Sequence, residues 1–124
     1  MIFGIGCDIM EIGRINADNT EFVKRYFTEK EQDFLNSRKN KQQCIASNFT
    51  VKEAFSKALH TGVRKFKLSD VEVLRDELGC PYINLYSDAE KICRQNGITD
   101  IHVSISHTKE LVTAYVILEK QVGK

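Results

Sequence analysis

A single proline and seven glycines among 124 residues leave little room for a flexible linker. No internal repeat or low-complexity tract interrupts the chain. It reads as one domain spanning residues 1–124, long enough to bury a real core. An excess of one charge is also missing. The net charge of +1 gives no global argument for nucleic acid or a membrane surface as partner, so any anion-binding role must come from a local cluster. The four cysteines, Cys7, Cys44, Cys80 and Cys93, are widely spaced and form no CxxC pair. That spacing is not a zinc pattern, nothing else points to a secreted disulfide scaffold, and they read as reduced thiols. No long apolar run is present either. The opening MIFGIGCDI lacks a basic leader and is too short for a signal core or a membrane span. A cytoplasmic protein is the expectation.

The composition that remains is ordinary for a globular chain, with 42% hydrophobic and 28% charged residues. IFGIGCDI reads as a first β-strand, with Phe3, Ile5, Cys7 and Ile9 on one face and Gly4, Gly6 and Asp8 on the other. Residues 10–37 look helical and broken, with Thr28 and Glu31 forming a capping-box pattern. The longest helix is expected from about Lys41 to Leu59, with Gly62 as its stop. DVEVLRDELGCPYINLY predicts a hairpin with strands at 71–75 and 82–86 around Gly79. SDAEKICRQNG predicts a short helix with Ser87 or Asp88 as N-cap and Gly97 as stop. IHVSISH and LVTAYVIL close the chain as two strands joined by a turn at 107–110. The order β-α-α-β-β-α-β-β predicts an α+β fold, a mostly antiparallel sheet packed on one long helix.

Within that helix, VKEAFSKALHTG gathers Val51, Ala54, Phe55 and Ala58 into a core stripe. Glu53, Ser56, Lys57 and His60 fall on the other side. Glu53 and Lys57, four apart, are either a solvated ion pair or a grip on something else. Ile45 and Phe49 lie on that same polar side, so the helix is expected to be covered on two faces, with Glu53 and Lys57 bordering a cleft or a subunit contact. Asp8 ends an apolar strand, where aspartate is disfavoured. It either caps a helix starting near Met10 or faces a site, and its neighbouring glycines leave room for another backbone or a ligand. Two carboxylates on separate elements could hold a hard cation such as Mg²⁺, with Lys57 as a point charge for phosphate. His107 ends a strand among Ser104, Ser106 and Thr108.

GIGCDIMEIGRI, FVKRYFTEKE, FTVKEAFSKALHTG, DVEVLRDELGCPYI and HVSISHT follow one another across nearly the whole chain. In this order they resemble the phosphopantetheinyl transferase superfamily, and within it the small, trimer-forming holo-acyl-carrier-protein synthase type. The resemblance implies transfer of the 4′-phosphopantetheine arm of coenzyme A (CoA) to a serine of apo-acyl carrier protein, releasing adenosine 3′,5′-bisphosphate. It implies Mg²⁺ on Asp8 and Glu53, and phosphate on Lys57. It puts CoA against His107 and Thr108 and the nucleotide end at Thr61 and Gly62. It also implies a homotrimer with active sites between subunits, and an acidic carrier docked on a basic surface that includes Arg14 and Arg25, with Lys24 alongside. Either Glu53 or a water on the magnesium takes the serine proton.

Two positions depart from the family pattern. The family's arginine before the aromatic of the long helix, which helps neutralise the CoA phosphates, is Asn48 here. Lys39 and Lys41 are nearby candidates to compensate. The usual glycine at the helix end is His60, which could itself meet a phosphate. Two other functions fit the same motifs: a CoA- or nucleotide-binding module without turnover, and a Mg²⁺-dependent hydrolase of the CoA pyrophosphate.

Overall fold

The computed structural model describes residues 1–60 and 65–122. Thr61 and Gly62, and with them the helix stop expected at Gly62, lie outside the described residues. Three strands, β1 (Ile2–Glu11), β4 (Ile98–His107) and β5 (Leu111–Lys120), form an antiparallel sheet in the order β1-β5-β4. Strands β2 (Val71–Arg75) and β3 (Pro81–Leu85) pair separately as a hairpin. Among the described residues four helices accompany them: α1 (Thr20–Tyr26), α2 (Glu29–Asn36), α3 (Lys41–Ala58) and α4 (Ser87–Gln95). The α+β class stands. The one expected sheet is two, and α3 with its 18 residues is joined by three shorter helices.

Helix α3 lies against β1 and β5. Strand β5 buries Val112, Ala114, Val116 and Leu118 completely, every second residue, as a half-buried strand should. Strand β1 does the reverse of what its hydrophobicity invites. Its isoleucines face outward, with Ile5 59% and Ile9 64% exposed, and its inner face is the glycine face. A Cβ on Gly6 would stand 1.7 Å from the Ala54 carbonyl oxygen, and one on Gly4 would stand 1.9 Å from that of Ala58. The room these glycines leave is filled by the backbone of α3, not by a ligand. Gly6→Ala is therefore expected to cost about 3 kcal/mol or more, because the obstacle is backbone that must move as a unit. Urea unfolding against wild type checks this. A loss under about 1 kcal/mol would mean that α3 does not sit this close to the strand.

Because β1 runs on to Glu11, Asp8 lies inside the strand opposite Ala114 and caps no helix. Residues 12–36 then form a 3₁₀ turn (Ile12–Arg14), α1 and α2. The Thr28–Glu31 capping box forms as the sequence predicts. Helix α4 is entered from Tyr86 as N-cap, not from Ser87 or Asp88, since Ser87 itself adopts φ 50° and no side chain caps the helix. Gly97, at φ 71°, ends it as expected. His60 adopts φ 66° just past α3, a conformation that glycine takes without strain. Its Nε2 lies 3.2 Å from the Phe3 carbonyl oxygen and its ring packs on Phe3. Among the described residues no helix is long and apolar enough to cross a membrane.

The second cover on α3 comes from its own chain, through α2 and β2. Ile45, Asn48 and Lys52 are fully buried there. Lys52 Nζ lies 2.8 Å from Glu31 Oε1 and also donates to the carbonyls of Leu68 and Val71. Asn48 Nδ2 donates to Glu31 Oε2 at 3.1 Å and to the Val73 carbonyl at 3.0 Å. Burial pushes the Glu31 carboxyl up and the Lys52 ammonium down, and each charge opposes the shift of the other. Asn48 is thus a structural residue, tying α3 to α2 and β2.

Candidate active site

Strand β1 and helix α3 bring together the residues that the sequence keeps far apart. Glycine packing sets the two backbones in contact, so side chains leaving their shared edge converge. Lys57 Nζ lies 2.9 Å from Asp8 Oδ1 and donates to the Cys7 carbonyl at 3.1 Å. The lysine is 55% exposed and the aspartate 21%. Lys57 therefore pairs across to the strand, and among the described residues it makes no ion pair with Glu53. Thr113 on β5 donates to the Asp8 carbonyl at 2.9 Å, which holds the strand at this point.

Glu53 is half-buried one turn before Lys57. Burial raises its carboxyl above the ordinary glutamate value, the negative charge of Asp8 raises it further, and Lys57 opposes both. The hydrogen bond that Lys57 donates to the Asp8 carboxylate is the main reason its ammonium is held above its own usual value. Two carboxylates close enough to repel, with one cation at their edge, make a site suited to a positive or phosphate-bearing ligand. Ser56, expected on the polar side, is buried and donates to the Glu53 carbonyl at 2.7 Å.

Glu53 also opens on a cavity of about 730 Å³ whose walls include Phe22, Tyr26, Phe49 and Phe66. Arg25 stands at this cavity with its guanidinium over the Tyr26 ring. Arg14 is exposed on the 3₁₀ turn after β1. His107 and Thr108 are elsewhere, at the far end of β4. They line a cavity of about 590 Å³ together with Lys39 and Lys41 at the start of α3. A second cavity of about 500 Å³ shares His107 and is lined by Arg38 and Arg75. The sequence singles out neither arginine, although Arg75 lies within DVEVLRDELGCPYI, nor Lys52, although it precedes Glu53 directly.

The chain is similar to known proteins over nearly its whole length. Residues 4–116 match the family model described as the 4′-phosphopantetheinyl transferase superfamily. The holo-[acyl-carrier-protein] synthase of Lachnoclostridium phytofermentans is 49% identical over 121 residues, covering 96% of this chain and 97% of its own. The crystal structure of the corresponding synthase from Neisseria meningitidis superposes with a TM-score of 0.90 at 30% identity, over 97% of this chain and all of that one. That of the Bacillus anthracis synthase, in complex with CoA (3′,5′-ADP), superposes at 0.82 with 35% identity, over 98% and 99% of the two chains. Fold and sequence agree in assigning this chain to the holo-acyl-carrier-protein synthases of the 4′-phosphopantetheinyl transferase superfamily.

Proposed function

We propose that this protein transfers the 4′-phosphopantetheine arm of CoA to a serine hydroxyl of apo-acyl carrier protein, in fatty acid biosynthesis. The observation that carries the reading is the meeting of Asp8, Glu53 and Lys57 at one edge, in a chain matched nearly end to end by holo-acyl-carrier-protein synthases. The serine oxygen attacks the phosphorus next to the pantetheine. The bond to the second phosphate breaks, and adenosine 3′,5′-bisphosphate leaves. Such transfers need placement and charge neutralisation more than covalent help.

Mg²⁺ fits this donor set. The two candidate ligands are hard carboxylate oxygens, and Mg²⁺ takes one or two of these and completes its octahedron with water and phosphate oxygens. The repulsion that raises Glu53 is what a dication beside it and Asp8 would remove. Asp8 and Glu53 would hold the ion, which when bound neutralises charge on the pyrophosphate. Lys57 contacts a phosphate oxygen. The serine proton would pass to the Glu53 carboxylate, its proton affinity increased by burial, or to a water on the ion.

The reading extends to a homotrimer with active sites between subunits. His107 and Thr108 line different cavities from Glu53, so a CoA molecule touching both ends would need a second copy of the chain. The outer face of the three-stranded sheet exposes Ile5, Ile9, Leu111 and Tyr115, an apolar surface suited to burial between copies. The carrier, being acidic, docks against basic side chains that include Arg25 beside the Glu53 cavity, and Arg14. We assign residues 1–124 to a single transferase domain working in the cytoplasm.

The test is to incubate the protein with CoA, Mg²⁺ and apo-acyl carrier protein and to weigh the carrier. A gain of one phosphopantetheine is the expected result. No gain, with a control transferase active on the same carrier, would refute the reading. Release of adenosine bisphosphate without carrier would replace it with hydrolysis, and CoA binding without turnover would replace it with a binding module.

A further inference from the structure

Lys57 and a divalent ion ask for the same carboxylate. Lys57 Nζ donates to Asp8 Oδ1 at 2.9 Å and to the Cys7 carbonyl at 3.1 Å, so two consecutive residues of β1 hold one ammonium. Among the described residues Asp8 has no other ion-pair partner. The transferase reading gives Asp8 to Mg²⁺ and Lys57 to phosphate, yet here the lysine is the counter-ion of the aspartate.

Both partners cannot be kept. A dication on the Asp8 carboxylate and an ammonium hydrogen-bonded to it would be like charges a few ångströms apart. Asp8 is only 21% exposed and Glu53 is half-buried, so that repulsion is screened less than in bulk water. The construction of the site decides which group gives way. The backbone of α3 rests on β1 at Gly4 and Gly6, where an added Cβ would meet helix carbonyls at 1.9 and 1.7 Å. The Thr113 hydroxyl, reaching over from β5, donates to the Asp8 carbonyl at 2.9 Å. Neither backbone is free to withdraw. Lys57, by contrast, is 55% exposed in the last turn of α3 and carries its charge on a flexible stem. It can turn toward solvent or a phosphate without disturbing the packing.

We propose that Lys57 is an exchangeable counter-ion: it neutralises Asp8 until the divalent ion binds, and the ion then expels it from the carboxylate and frees it for the phosphate oxygens of CoA. Resting on the transferase reading for the metal ligands and the phosphate, the exchange gives the site a binding order. Metal and pyrophosphate favour one another through the lysine as well as by direct contact, because a ligand that draws Lys57 away from Asp8 raises the affinity for the ion, and the reverse holds equally.

Magnesium titrations without CoA or carrier test the exchange. Calorimetry is run on protein stripped of divalent ions by a chelator, as wild type, Lys57→Gln and Arg25→Gln. Lys57→Gln is expected to bind Mg²⁺ roughly three- to tenfold more tightly than wild type, the gain from removing one half-exposed competitor. Arg25 stands at the Glu53 cavity but makes no ion pair with Asp8 among the described residues. Its variant is expected to change the affinity by less than about twofold. The Cys7 carbonyl reports the movement of the lysine in the wild type itself. Cys-Asp occurs once in the sequence, so ¹³C-carbonyl cysteine combined with ¹⁵N aspartate gives this peptide a single NMR signal. Saturating Mg²⁺ is expected to move the wild-type signal to the position it has in Lys57→Gln. An unchanged or lower affinity in Lys57→Gln overturns the exchange. So does an equal gain in Arg25→Gln, an absence of Mg²⁺ binding to all three proteins, or a Cys7 signal that keeps its lysine-bonded position at saturation. Transfer to the carrier despite such a result leaves the transferase reading standing. The expected titrations without any transfer refute that reading and leave the exchange.

Discussion

Glu53→Gln is expected to lower phosphopantetheine transfer roughly a thousandfold while leaving the fold as stable as wild type or more so. The loss follows from the two roles proposed for the carboxylate, metal ligand and proton acceptor, neither of which an amide performs; removing a general base alone typically costs about 10²–10⁴. The unchanged or raised stability follows from the environment of Glu53. Its carboxyl is held above its ordinary value by burial first and by Asp8 second, so the fold disfavours the ionised form. A raised folded-state value means that this cost is absent well below the unfolded value and grows as pH rises through the interval between the two. The thermal advantage of the variant should therefore be visible at neutral pH and vanish as pH falls below the glutamate range. Turnover and thermal unfolding on the same samples decide the matter. Near wild-type turnover would remove Glu53 from the chemistry. A large loss of stability would make it a structural residue.

The second large effect is expected at the residue just before it. Lys52→Met should cost about 3–5 kcal/mol, the usual penalty for removing one partner of a buried ion pair. Lys52 and Glu31 are both fully buried, and the lysine also satisfies the carbonyls of Leu68 and Val71. Without it a buried carboxylate loses its cation and two carbonyls lose their donor. Burial already pushes the Glu31 carboxyl up, so the variant is expected to relieve itself in part by protonating Glu31. Its deficit should shrink as pH is lowered. The double variant Lys52→Met with Glu31→Gln should recover part of the loss, because no buried charge remains. Denaturant midpoints at unchanged m-value measure all three. A single variant within about 1 kcal/mol of wild type would show that the pair does not join α3 to α2.

Together the two expectations separate the faces of one helix. Glu53 lies at the edge of β1, where the proposed function puts the substrate. Lys52, next in sequence and about 100° around the helix, works in the seam with α2 and β2. The K-E dipeptide divides between a structural lysine and a glutamate to which we assign the chemistry, a division not visible in its spacing.

Much of the fold was legible because its signals are local. The alternation in β5, the Thr28–Glu31 box, the glycine after α4 and the length of α3 each depend on residues within a few positions of one another. Motif identity and order were legible too, and they pointed to Asp8, Glu53, Lys57 and His107. The failures were also physical. The N-cap at Ser87 was expected because serine and aspartate cap helices well, yet the backbone enters α4 with Ser87 already at φ 50°, which displaces the cap to Tyr86. Asp8 was open to reading as a cap because nothing local shows that β5 prolongs β1 to Glu11. The second cover on α3 left a cleft and a subunit contact both open, since the sequence does not say that Glu31 returns to meet Lys52.

By itself, then, the sequence determined the α+β class, the order and type of most elements, and the family to which the chain belongs. Only the tertiary structure decided what those residues touch. Lys57 lies four positions from Glu53 but reaches Asp8 instead, 49 positions away, because two glycines let the backbone of α3 rest directly on β1. Asn48 proved to be a strut between α3 and its neighbours α2 and β2. The reason is the same in each case: periodicity assigns a side chain to a face, whereas its partner across the fold depends on how closely two backbones can approach.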